Sequence, residues 1–300
     1  MKISLGYKSL IGVAATVFSL GSVAVLADDD IVPIGRAINS VPIFDAHVHY
    51  KQAAWEPFPP ATVIKLMDQS GVAMALVSST PDPGTIRLWE FAPKRVVPEL
   101  RPYHGVAGSS NWTKVPGMIQ YLRERLAKYP HQGIGEFHIH HIDPSDEPLL
   151  REVAAMARSK KILIHIHSTA EPVRLLYRLE PSLVIIWAHA GMSEPARVVE
   201  ELMEIYDTLH ADTSYRERDI LAGDGKIDSD WRRVIERFPD RFLVGSDTWV
   251  NSQWADYSGL ISLNRAWLSH FPREIAEMIA HKNAERLFGR KVSAGLFGQR

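Results

Sequence analysis

The stretch Asp45-Ala46-His47-Val48-His49 ends the first apolar run of the chain, which spans 41–46. An open doubly wound sheet normally places a glycine-rich phosphate loop after its first strand. Here a His-x-His pair stands in that position. Side chains alternate along a strand, so His47 and His49 point the same way, about 6.5–7 Å apart. Two imidazoles on that spacing can grip one ion. Alone the pair is weak evidence, because a surface strand can carry one by chance.

Outward from this point the pattern repeats. Short runs rich in Val and Ile lie at 41–46, 72–78, 103–107, 133–137, 162–167, 183–188, 209–213 and 242–246. Amphipathic stretches of helical period separate them at 60–70, 116–128, 148–159, 172–179, 194–206 and 230–238. Several open on proline, whose missing N–H costs nothing in a first helical turn. Two further helical stretches, 258–271 and 273–287, close the chain. Eight strands, each followed by a crossover, predict an α/β fold of the (β/α)8 barrel (TIM barrel) type, with extra C-terminal helices. No composition shift marks a boundary, so residues 28–300 are expected to form a single domain.

Residues 1–27 are set apart from that reading. They carry Lys2 and Lys8, an apolar run over 10–26, and Val25-Leu26-Ala27 before Asp28-Asp29-Asp30. That order reads as a secretory signal peptide, with a retained membrane anchor as the alternative. The mature chain is then an exported protein, periplasmic or secreted, with no membrane association after cleavage.

Composition narrows the function. The chain has 300 residues, a formal charge of −1, no cysteine and 13 histidines. Near-neutral charge argues against a nucleic acid or an anionic membrane as the main partner. Absence of cysteine excludes disulfides, iron–sulfur clusters, thiolate zinc sites and a cysteine nucleophile. The histidines are not scattered. His47 and His49 end the first strand, Glu136 with His138 and His140 the fourth, His165 and His167 the fifth, His189 the sixth, and Asp247 the eighth. In a parallel barrel those ends share one face, the face on which active sites are built. His131, His270 and His281 fall elsewhere and read as ordinary.

Each residue has a plainer reading. Asp45 and Asp247 could cap helices, His189 could be a satisfied core histidine, and Glu136 could pair with Arg101 or Lys161. All of them in register at successive strand ends favour a metal. Imidazole with carboxylate and no thiolate suits Zn²⁺, Mn²⁺, Ni²⁺ or Fe²⁺.

The motifs Asp45-Ala46-His47-Val48-His49, Gly135-Glu136, Leu163-Ile164-His165, Ala188-His189-Ala190-Gly191 and Gly245-Ser246-Asp247 resemble the amidohydrolase superfamily. The likeness is to its amidohydrolase-related branch of metal-dependent barrel hydrolases, and covers essentially the whole mature chain. That branch includes pyrone-dicarboxylate lactonases and aminocarboxymuconate-semialdehyde decarboxylase. The resemblance implies metal ligands His47, His49, His165 and Asp247, with His165 preferred over His167 for its apolar-apolar-His context. It implies that His189 binds a second metal or acts as acid/base. Glu136 resembles the bridging glutamate of TatD-type nucleases, which makes one or two ions conceivable. The continuation Phe137-His138-Ile139-His140-His141 departs from the nuclease pattern.

A bound divalent ion lowers the pKa of its water to about 7. Asp247 beside it can move the proton, with the metal or His189 polarising the carbonyl. The expected function is therefore hydrolysis of an amide, ester or lactone bond in a small-molecule substrate. A metal-dependent decarboxylase and a non-catalytic exported binding protein are the alternatives. Substrate contacts are expected from His138, His167, Tyr215, Arg216 and Trp249. Whether the protein is a homo-oligomer is left open by the sequence.

Overall fold

A computed structural model describes residues 38–292; the expected signal, 1–27, lies outside the described residues. Eight parallel strands follow in chain order: β1 Ile43–His49, β2 Val72–Ser78, β3 Val96–Pro98, β4 Gly133–Ile139, β5 Leu163–Ser168, β6 Ile185–Trp187, β7 Leu209–Asp212 and β8 Phe242–Leu243. The strands β1 to β3 and β4 to β8 form two ladders of neighbours in sequence. A bridge between Leu100 and Ile134 joins them on one side. On the other side Ala46 N–H donates to the Val244 carbonyl (2.8 Å) and Asp247 N–H to the His47 carbonyl (2.7 Å). The sheet is thus a closed barrel, and the predicted (β/α)8 fold is what forms.

Apolar side chains segregate into two layers. Outward residues such as Ile43, Val48, Ile164 and Ile166 pack under the surrounding helices. Inward residues Phe44, Ala46, Met74, Leu76, Val97, Leu163, Ile186 and Leu243 fill the lower barrel. Phe288, from the last helix (Asn283–Phe288), stacks on Phe44 with ring centroids 5.4 Å apart and plugs that end.

The phase of β1 changes along its length. Phe44 and Ala46 point inward and Val48 outward, with a register shift against β2 between Asp45 and Val48. Such a bulge inserts a residue and resets which face follows. It brings His47 and His49 into the interior directly above the apolar plug.

Two sequence expectations are corrected. The third strand is not 103–107 but Val96–Pro98, because Pro98, which argues against a central strand, here stands at its last position. Glu99 and Leu100 carry the pairing on, donating to the Val77 and Gly133 carbonyls. A helix at Pro83–Phe91, with proline in its first turn, links β2 to β3 and was not anticipated. Among the described residues no helix is long and apolar enough to cross a membrane.

Candidate metal centre

Five strand ends deliver six side chains to the upper interior. His47 and His49 come from β1, Glu136 from β4 and His167 from β5. His189 follows β6 and Asp247 follows β8, both at positive φ (56° and 48°), a region non-glycine residues enter only under surrounding constraint. His47 Nε2 and His49 Nε2 face each other at 3.1 Å. Asp247 Oδ1 lies 3.5 Å from the first and 3.2 Å from the second. The Glu136 carboxylate sits between two groups: Oε2 is 3.3 Å from His49 Nε2, while Oε1 is 2.8 Å from His167 Nδ1 and 3.7 Å from His189 Nε2. His167 Nδ1 and His189 Nε2 are 3.2 Å apart.

Protons show what this cluster lacks. Asp212 Oδ2 can only accept, so at 3.2 Å it takes the Nδ1–H of His47. The Nδ1 of His49 faces Ser78 Oγ (2.9 Å) and carbonyl (3.4 Å), and that of His189 faces the Ser214 carbonyl (3.1 Å). With these outer nitrogens donating, the rings of His47, His49 and His189 turn their Nε2 atoms toward one another and toward two carboxylates. Burial works against charge on His189, but Glu136, Asp212 and Asp247 outweigh it and raise that ring to about 9. The convergence therefore calls for positive charge, a proton on His189 or a metal ion among the donors. The donor set fits divalent ions, and each ring is held from behind as metal-ligating histidines are. Burial, helped by the Arg101 charge, pushes His49 down to about 4, which keeps it neutral and able to ligate. Burial alone would push the Glu136 carboxyl up. Hydrogen bonds from His167, His189 and His49, with the Arg101 charge, outweigh it and hold Glu136 well below the carboxylate range.

Above the cluster opens a cavity of about 850 Å³. Of the expected substrate contacts, His138, His167, Tyr215 and Trp249 line it. Arg216 does not. It is buried (3% exposed), donates to the Glu194 carbonyl at 2.8 Å and lies over the Trp231 ring, so its charge is spent inside the fold. Tyr103 Oη accepts from the His138 backbone N–H (2.8 Å) and lies 2.9 Å from His138 Nδ1. When the hydroxyl donates to that nitrogen, the proton of neutral His138 sits on Nε2. Burial pushes His138 down to about 3, consistent with a neutral donor.

The sequence model of the amidohydrolase family matches residues 44–290. The chain belongs to the amidohydrolase family. It is accordingly an enzyme, a metal-dependent hydrolase. No curated protein matches the chain. Among solved structures, it is similar to a protein assigned as a 2-pyrone-4,6-dicarboxylic acid hydrolase from Pseudomonas putida (14% identity, 84% of this chain and 99% of the other, TM-score 0.60). It is also similar to a mutant organophosphorus hydrolase from Deinococcus radiodurans (14%, 84% and 94%, 0.56). A third is the phosphotriesterase homology protein from Escherichia coli with phosphate in its active site (12%, 83% and 99%, 0.57). At these identities the likeness is one of fold.

Within this amidohydrolase barrel His165, expected as a ligand, occupies a different place. It lies fully buried, with Nδ1 3.2 Å from Glu99 Oε2 and Nε2 3.2 Å from Asp212 Oδ2. Two acceptor-only partners require both ring nitrogens to donate. Burial works against that charge, but Glu99 and Asp212 outweigh it and raise His165 to about 10. Asp212 in turn accepts from Ser214 N–H (3.0 Å) and His189 N–H (3.3 Å) as well as from His47. His165 is the cationic centre of a support beneath the cluster, one pleat deeper than His167. Glu99 and Lys51 were missed in the sequence, since neither stands in a motif, whereas Arg101, weighed there as a plain partner of Glu136, does pair with it (2.7 Å). The signal for Glu99 and Lys51 was position alone, at or just beyond strand ends.

Proposed function

We propose that the protein hydrolyses an amide, ester or lactone bond of a small carbonyl compound at a two-ion centre. One ion would be held by His47, His49 and Asp247, the other by His167 and His189, with Glu136 shared between them. The split of the Glu136 oxygens between the two histidine groups carries this reading. An all-nitrogen-and-oxygen donor set favours Zn²⁺. Ions bound there would polarise the scissile carbonyl and bring the pKa of a water toward neutrality.

The chain's own groups supply the rest. Asp247, at the floor of the cavity, accepts the proton as the water oxygen bonds to the carbonyl carbon. It returns that proton to the leaving oxygen or nitrogen as the old bond breaks. His138 Nε2–H is a donor for a substrate oxygen, held in its tautomer by Tyr103. His189, expected also as an acid/base, has Nδ1 on Ser214 and Nε2 in the cluster, and is read here as a ligand only.

Elemental analysis of purified protein tests this reading. About two equivalents of metal are expected, falling to one or fewer in Glu136→Ala and in His167→Ala. A single equivalent in the parent protein, unchanged by Glu136→Ala, would sink the shared-carboxylate centre.

A further inference from the structure

Past His49 the chain stays extended, with Lys51 at φ −67° and ψ 157°. Alternation therefore sets Lys51 on the same side as His47 and His49, one pleat repeat (about 6.5–7 Å) beyond the second histidine. Its side chain lines the cavity and is half-buried. The ammonium lies 5.4 Å from the centre of the Trp249 ring.

What distinguishes Lys51 is that, beyond the Trp249 ring, it has no ion-pair partner among the described residues. The two carboxylates lining the cavity, Glu136 and Asp247, are both taken up by the imidazole cluster. Arg101, the other cation there, donates to the Glu136 carbonyl (2.9 Å) and Oε2 (2.7 Å). Among the described residues Lys51 forms no such ion pair. An unpaired ammonium partly withdrawn from water is costly unless a ligand supplies the counter-charge. Beside it stand half-exposed Trp249 (48%), Tyr215 (44%) and Met192 (37%). Trp249 Nε1 donates to Tyr215 Oη at 2.8 Å, which holds the indole as a fixed wall.

We propose that Lys51 is a specificity residue, anchoring an anionic group, most simply a carboxylate, on a substrate whose apolar body lies against Trp249. The anchor rests on the hydrolase reading above for where the reacting carbonyl sits. An anionic anchor in the same cavity as the reacting carbonyl suits a half-ester or lactone of a small diacid and disfavours a neutral ester of the same size. Arg101 adds its field, with its Nε and one Nη2 donor held by Glu136.

The probes are mono(4-nitrophenyl) glutarate and its neutral methyl ester, which share a leaving group and differ in one charge. With the Zn²⁺-loaded full chain, kcat/KM is expected to favour the charged ester. In Lys51→Met that preference should fall about tenfold or more, the scale of one charge-assisted contact, chiefly through KM. Lys51→Arg should restore most of it. An equal preference in the parent protein and Lys51→Met would overturn the anchor. Calorimetry with 3-phenylpropionate and its amide separates the two readings. If neither ester is turned over, the hydrolase reading fails, yet acid-over-amide binding that collapses in Lys51→Met still supports the anchor. Binding that shows no such preference overturns it.

Discussion

His165 and His167 differ by two residues, share a face of β5 and have opposite duties. His167 meets Glu136 and His189, whereas His165 is clamped between Glu99 and Asp212. No periodicity separates them, because alternation fixes the face and not the depth. Substitution separates them by stability. With metal removed by chelator, His165→Asn should cost about 3–5 kcal/mol in urea unfolding, since it leaves two buried carboxylates without their cation. His167→Ala should cost distinctly less under the same conditions and lose bound metal instead. The reverse order would show His165 to be the ligand. Glu217 offers a second test. Burial pushes its carboxyl from 4.5 up to about 7, with the Asp212 charge adding to the effect. A folded pKa above the unfolded one means that folding favours the proton. Its contribution is intact below about 4.5 and lost as pH rises through 7. Glu217→Gln should therefore gain about 2–3 kcal/mol over the parent at pH 8 and little at pH 4. Denaturant midpoints at the two pH values check it, and a gain that does not grow with pH refutes it.

At the scale of elements, the strand ends were legible and the irregularities were not. The span of β2 and the histidines closing β1, β5 and β6 follow from apolar runs and where they stop. The bulge at Asp45–Val48 does not, because nothing in that segment's composition announces an extra residue. β3 was misplaced for a similar reason. Its short Val96–Pro98 segment carries a proline, while 103–107 has apolar residues and forms no strand. Strand β4 is irregular as well, with a register shift against β5 between Ile134 and Phe137. Gly135 sits there at φ 152°, and a Cβ on it would run into the His165 carbonyl. Only glycine lets β4 approach β5 closely enough to place Glu136 between the histidines. Gly135→Ala should thus displace Glu136, lowering metal content below that of the parent and destabilising the fold by roughly 1–3 kcal/mol. Elemental analysis with thermal unfolding checks both. Full metal content with unchanged stability would mean the approach is not needed.

At the scale of the molecule, the cluster is a cross-link. Its six side chains come from β1, β4, β5, β6 and β8, so ions held there tie most of the barrel's circumference at its upper rim. The lower rim is held differently, by an apolar plug that needs no ligand. The near-neutral charge and absent cysteine, which in the sequence only excluded functions, acquire a positive sense here. No disulfide braces the rim, and the imidazoles and carboxylates crowded there call for positive charge among them. Metal binding is therefore coupled to folding. At free metal about 100 times its dissociation constant, one site adds about 2.7 kcal/mol to the folded state. Two sites add more, and in a domain of this size each such increment raises the midpoint by several degrees. Chelation should lower the melting temperature accordingly, and restoring Zn²⁺ should recover it. In Glu136→Ala the Zn²⁺-dependent rise should shrink by about half or more, because in the proposed centre that residue is shared by both ions. A melting temperature indifferent to chelator, in protein shown to contain metal beforehand, would place the ions outside this cluster.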